Sequence, residues 1–196
     1  MRYGMKWPEY ARQWDAMKVV TGKEATIRHV AEVAMAHKRD YAAIEAQTGV
    51  PWPMIAAIHR RESDANFNTY LGNGEPLDRK TRLVPKGRGP WPSFVAGAID
   101  ALKVDGLSSV IDWRLEKMLY YCELYNGTGY DMRSRPSPYV WALTNIQKPG
   151  KFRENERGSW FDSSEWDIQP GCAPIIWELS HVDPSVKAAT YMTRET

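Results

Sequence analysis

The sequence predicts a mainly α domain, formally α+β, with one small β-hairpin region. Three observations carry this. Apolar residues recur at helical spacing through most of the chain, Gly and Pro cut that pattern into helix-length segments, and Asn66 to Pro90 replaces the helical period with glycine, proline and charge. At 196 residues, with 43% hydrophobic and 26% charged residues, the chain suits one domain with a substantial core and is not of disordered composition. We read 1–196 as that single domain, with a helical N-terminal arm over 1–22 and an irregular C-terminal wrap over 148–196.

Taken in order, Pro8 to Val20 and Lys23 to His37 are the first two helices, separated by Gly22. The second gathers Ile27, Val30, Ala31, Val33 and Ala34 on one side. Arg39 to Thr48 is a third, broken by Gly49-Val50-Pro51, and Pro51 or Pro53 suits the first turn of the next helix. That helix, Trp52 to Ser63, puts Trp52, Ile55, Ala56, His59 and Glu62 on roughly one face. Asn66 to Pro90 then reads as the small irregular β region. Pro92 to Val104 carries a stripe of Phe94, Val95, Ala98, Ile99 and Leu102, and Leu107 to Tyr125 follows, closed by Asn126-Gly127. Lys148 to Pro170 is rich in Gly, Ser and charge but holds Trp160, Phe161 and Trp166, so it is an ordered wrap rather than a linker. Ala173 to Leu179 is a last short helix. No internal repeat or low-complexity tract interrupts this order.

Composition excludes some partners. With 26 basic and 24 acidic residues the net charge is +2, too balanced to argue for nucleic acid. No apolar run approaches membrane-spanning length, so stable membrane insertion is not expected. Cys122 and Cys172 are too few for a disulfide scaffold and lack metal-ligand spacing; Cys122 falls in helical register with Leu115, Met118 and Leu119 as a core residue. Met1 to Glu9 lacks the apolar region and cleavage site of a secretory signal, so retention in a cytoplasm is the expectation.

Glu62 is the principal candidate for chemistry. It extends an otherwise apolar stripe at the end of its helix, where a half-buried carboxyl is expected. Burial and the negative end of the helix dipole both push such a carboxyl's pKa upward, toward what a general acid needs near neutral pH. The competing reading is a solvated glutamate, or one paired with Arg60 or Arg61. His59, one turn earlier, is read as a satisfied structural histidine, with tuning of the acid as the alternative.

Four features follow one another: Glu62-Ser63 at a helix end, a β excursion, the turn Tyr125-Asn126-Gly127-Thr128-Gly129, and Tyr139-Val140. This ordered set resembles the lysozyme-like superfamily over Tyr41 to Pro174, most closely its goose-type lysozyme and lytic transglycosylase branch, in a form found in phage endolysins and related muramidases. The resemblance implies cleavage of the β-1,4 link between N-acetylmuramic acid and N-acetylglucosamine, with Glu62 as acid and no cofactor. It further implies that Ser63 contacts substrate or steadies the cleft, and that the Tyr139 hydroxyl reaches the Glu62 carboxyl. The partner would be peptidoglycan glycan strands, met by a monomer held in the host cytoplasm until a separate holin-like pore or lysis releases it. One departure stands out: Gly87-Arg88-Gly89-Pro90-Trp91-Pro92 occupies the place of the branch's Gly-Leu-Met-Gln-like cleft segment. That leaves hydrolysis and transglycosylation both open.

A glycoside hydrolase needs a second carboxylate beside the acid. Glu75 is the first candidate and Asp78 the next, because both lie in the excursion expected to cross the cleft; plain turn chemistry is the alternative for Glu75. Asp100 and Asp105 are read as solvated. A transglycosylase needs no second carboxylate, because the substrate's own acetamido group and 6-hydroxyl serve. For sugar recognition, Tyr125, Asn126 and Tyr130 flank a turn whose Gly127 and Gly129 allow close backbone approach. Outside enzymes, the alternative is a non-catalytic cell-wall-binding virion module.

Overall fold

The computed structural model describes residues 7–155, 158–187 and 189. Residues 1–6 of the N-terminal arm and most of 188–196 of the wrap lie outside them. The elements in chain order are α1 (Trp7–Ala16), α2 (Glu24–Ala36), α3 (Lys38–Thr48), α4 (Trp52–Ser63), α5 (Phe94–Val104), α6 (Leu115–Asn126), α7 (Pro138–Trp141), β1 (Lys151–Asn155), β2 (Gly158–Asp162), α8 (Cys172–Val182) and α9 (Pro184–Lys187). The molecule is mainly helical with one antiparallel hairpin, β1–β2, among the described residues.

Helix α4 is the axis of the fold. Trp52 through His59 is buried on every side, as a helix must be when apolar residues occupy its whole circumference. It packs against α3 and α8, and more lightly against α2 and α6, while α2 lies on α8, α3 on α5 and α1 on α6. Only its last turn, Arg60 to Ser63, leaves the core. Tyr10 docks α1 by donating its hydroxyl to the buried Glu123 of α6. Cys122 and Cys172 meet in the core as free thiols, and burial pushes the Cys122 thiol far up, keeping it protonated.

Three local readings are corrected. Helix α1 stops at Ala16 rather than Val20, because Val19 bridges Thr144 and the Val20 N–H bonds the Leu143 carbonyl at 3.0 Å. The segment read as one helix over Leu107 to Tyr125 is a 3₁₀ turn, Leu107–Ser109, then an extended stretch, then α6. Asp112 takes the Arg114 N–H at 3.2 Å and also pairs with the Arg114 and Lys117 side chains, holding the chain outside helical geometry before α6 begins.

The third correction moves the hairpin. Residues 66–90 hold a single isolated bridge, Thr69 to Pro76, and otherwise turns. The loop is ordered by packing: the Tyr70 ring stacks on Trp91 at 4.1 Å, and Leu77 comes so close to α5 that a Cβ on Gly97 would lie 2.9 Å from its side chain. The hairpin instead lies in the tail, where Phe152 pairs across strands with Phe161 and Arg153 with Trp160. Phe152 and Phe161 pack edge to face on each other and on Tyr130, with ring centroids 5.0 to 6.2 Å apart, and Arg133 covers Phe161 at 4.4 Å. The tail is thus ordered as expected, but its first part is a docked hairpin rather than an irregular wrap.

Among the described residues no helix is long and apolar enough to cross a membrane.

Candidate active site

Glu62 sits on the last turn of α4, just before two residues in left-handed backbone. Asp64 has φ 57° and Ala65 φ 55°, unusual for side chains with a Cβ, and they are held there by Asp64 N–H to Arg60 O and Ala65 N–H to His59 O, both 3.2 Å. Arg60 pairs with Asp64, and Arg61 turns inward, so neither arginine takes the Glu62 carboxyl as a direct partner.

The partner of Glu62 is Tyr139, whose hydroxyl donates to Oε1 at 2.7 Å. Tyr139 stands on α7, is buried, and carries the Arg61 guanidinium over its ring at 4.9 Å. Arg61 in turn donates to Asp167 Oδ2 at 2.9 Å and to the Gln169 carbonyl at 3.0 Å, and this ion pair is sealed from solvent. Gln169 closes the arrangement by donating to the Arg60 carbonyl at 3.2 Å. A continuous support therefore runs from the tail through Arg61 and Tyr139 to Glu62. Gly171 lets the tail pass close to α7: a Cβ there would lie 2.4 Å from the Val140 carbonyl oxygen.

Glu62 is exposed rather than half-buried by surface area, yet loss of solvation is the largest influence on its carboxyl. Both hold for a carboxyl set among protein groups whose outer edge still reaches solvent. Burial pushes its pKa up, the Tyr139 hydrogen bond and the Arg61 charge oppose this, the Asp105 charge adds to it, and the net direction is upward.

Asp105, at the C-terminal end of α5, has its own carboxyl pushed up by burial. Its charge is felt by Glu62 and by Tyr125. By surface area Asp105 is exposed, as expected of a solvated residue, and it is the carboxylate whose charge reaches Glu62. With Tyr121, Leu124 and Tyr125 it lines a recess of about 190 Å³.

The other expected site residues divide. Tyr125 lies beside Glu62, close enough for the carboxylate's charge to raise its phenol pKa further after burial, and its hydroxyl donates to the Leu71 carbonyl at 3.0 Å. Asn126 is exposed on the lip of a second recess, of about 370 Å³, which Arg61, Tyr130, Tyr139, Lys151 and Phe152 also line. Tyr130 is buried and accepts the Phe152 N–H at 3.2 Å, so it holds the hairpin first. Gly127 has φ 98°, which favours glycine, whereas a Cβ on Gly129 would meet the Phe152 ring at 2.9 Å, so the second glycine makes room for the hairpin. Ser63 follows Glu62, but its Oγ is buried, with no hydrogen-bond partner among the described residues, and so is closed to a substrate.

Glu75 is committed to its own loop. Its carboxylate accepts the Arg82 N–H at 2.9 Å, the Leu83 N–H at 2.8 Å and the Asn73 side-chain amide at 3.2 Å, which is the turn chemistry that was the alternative reading. Asp78 is exposed and pairs with Arg79 at 2.8 Å. Asp100 ties Tyr70, at 3.0 Å, and Arg88 to α5. His59 is fully buried, accepts the Tyr41 hydroxyl at Nδ1 (2.9 Å), donates from Nε2 to the Asn66 carbonyl (3.1 Å) and stacks on Phe94 at 4.0 Å. Burial pushes its pKa down to about 4, so it is a neutral structural residue at pH 7.

No family model matches this chain, and neither does any curated protein or solved structure. Among the described residues no group of three or more His, Cys, Asp or Glu is placed to hold a metal ion.

Proposed function

We propose that this chain is a peptidoglycan-cleaving glycosidase that breaks the β-1,4 bond between N-acetylmuramic acid and N-acetylglucosamine, of the muramidase type seen among phage endolysins. The observation that carries the reading is Glu62: a solvent-reachable carboxyl with raised proton affinity, fixed at one oxygen by the hydroxyl of the buried Tyr139, which itself lines a recess. With Oε1 accepting from Tyr139, the acidic proton sits on Oε2 and passes to the leaving glycosidic oxygen as the C1–O bond breaks. The Tyr139 hydrogen bond and the Arg61 charge then stabilise the carboxylate that results. Water completes the hydrolysis, and Asp105 is the group assigned to activate it or to stabilise the cationic sugar.

Transglycosylation is the second reading. Glu75 and Asp78 are both engaged elsewhere, so the substrate's own groups take over if Asp105 is not used. Digestion of purified cell walls followed by mass spectrometry separates the readings. Hydrolysis leaves reducing N-acetylmuramic acid ends and needs Asp105; transglycosylation leaves 1,6-anhydro ends, about 18 Da lighter by the loss of one water, and tolerates Asp105→Asn. Wall binding with no released fragments would contradict both and fit a binding module.

A further inference from the structure

The recess between the 126–130 turn and the β1–β2 hairpin shares Arg61 and Tyr139 with the support of Glu62, and its remaining walls take no part in the bond-breaking chemistry. Its charge is unbalanced. Arg61 and Lys151 share one carboxylate, Asp167. Both Asp167 oxygens are already occupied, Oδ2 by Arg61 at 2.9 Å and Oδ1 by the Gln169 N–H at 3.0 Å. The Lys151 ammonium stands 3.5 Å from Oδ1, drawn toward it but beyond a short hydrogen bond, with its side chain partly open. Arg61 is immobilised and sealed, so Lys151 is the cation able to turn toward a ligand. Around it the walls are Phe152 and Tyr130 rings, the Ser159 residue and the Asn126 amide. A net positive recess with partly apolar walls suits a carboxylate borne on a short organic arm, not a bare neutral sugar.

We propose that this recess receives the carboxylate of the acyl arm of the muramic acid ring bound next to Glu62, with Lys151 as its counter-ion. The proposal rests on the peptidoglycan reading of the site and adds the group by which this chain tells muramic acid from N-acetylglucosamine. The carboxylate has two sources. It is the lactyl carboxylate itself on strands without peptide, and a peptide carboxylate where peptide is attached.

The test compares kcat/KM on soluble glycan strands with free carboxylates and on the same strands amidated, for the wild-type chain, Lys151→Met and Lys151→Arg. The wild-type and Lys151→Arg proteins should prefer free carboxylates about tenfold, and Lys151→Met should lose the preference, since a hydrogen bond between charged groups is stronger than one between neutral groups. Equal preference in wild type and Lys151→Met would overturn the proposal and leave the glycosidase reading intact. Strands stripped of peptide by an amidase identify the source: a preference that persists on them belongs to the lactyl carboxylate, and one that vanishes belongs to the peptide. If wild type cleaves no strand, the glycosidase reading fails, and titration of the wild-type chain with N-acetylmuramic acid against its methyl ester, followed by NMR, judges the recess alone. Tighter binding of the acid, abolished in Lys151→Met of unchanged melting temperature, upholds it; equal binding of acid and ester overturns it.

Discussion

The loop over residues 66–92 and the tail over residues 148–171 have similar compositions, with glycine, proline, charge and a few aromatics, and the structure puts them to different uses. The loop turns its acids on itself: Glu75 holds the Arg82 and Leu83 amides, and Asp78 pairs with its neighbour Arg79. The tail sends its acid far away, with Asp167 reaching Arg61 of α4 across more than a hundred residues of sequence to brace the Tyr139–Glu62 contact. A short-range partner leaves a local signature such as Gly-Asn-Gly-Glu-Pro. A long-range partner leaves none, and it is the long-range one that builds the candidate site.

The largest effect on stability should come from breaking the tail's contact. Asp167→Ala strands the buried Arg61 guanidinium and should cost about 3–5 kcal/mol in chemical denaturation, because removing one member of a buried pair leaves an unpaired charge. A loss below about 0.5 kcal/mol would reduce the Asp167 pair to a surface contact. The effect of pH on folding should be next. His59 has its folded pKa depressed to about 4, so the stability it contributes is complete above its unfolded value near 6.5 and is lost as pH falls from about 6.5 toward 4. Urea midpoints across that window should fall, and the fall should shrink in His59→Gln.

Smaller changes sharpen the comparison further. The Tyr139 hydrogen bond lowers the Glu62 pKa against the upward push of burial, so Tyr139→Phe should raise it and move the alkaline limb of the kcat/KM profile to higher pH. An unmoved limb would mean that Tyr139 does not hold the acid during turnover. Glu75→Gln should destabilise by roughly 1–2 kcal/mol through its amide contacts while activity stays within a few-fold, measured by melting and by wall turbidity. Asp78→Asn should change neither. A large activity loss in Glu75→Gln without unfolding would reverse the roles of loop and tail.

Much of the fold was legible because helices announce themselves locally. The period through α2, the proline start of α4 and the Ser93-led stripe of α5 each depend on a few neighbouring residues. Glu62 was legible because one acid at the end of an apolar run is a local anomaly, and the contact from Tyr139 followed from the resemblance. The hairpin's place was not legible: strand pairing depends on the Phe152, Phe161 and Tyr130 cluster, and Tyr130 is remote in sequence from both strands. The reach of the Asp105 charge to Glu62 was not legible for a related reason: Asp105 is exposed, as its polar helix face suggests, and the two residues lie far apart in sequence.

Whether Glu62 donates the proton that breaks a wall glycan is tested most directly by the rate at which the wild-type chain and Glu62→Gln release fragments from purified cell walls, with melting midpoints recorded on the same samples. Because the folded Glu62 pKa lies above its unfolded value, its ionised form costs stability at neutral pH, so the Gln variant should melt at the same temperature or higher. Its rate should fall to below about one hundredth of wild type, in keeping with the factor of about 10² to 10⁴ that general acid catalysis contributes. A well-folded Glu62→Gln protein that releases the same fragments at more than about a tenth of the wild-type rate would contradict the general-acid role.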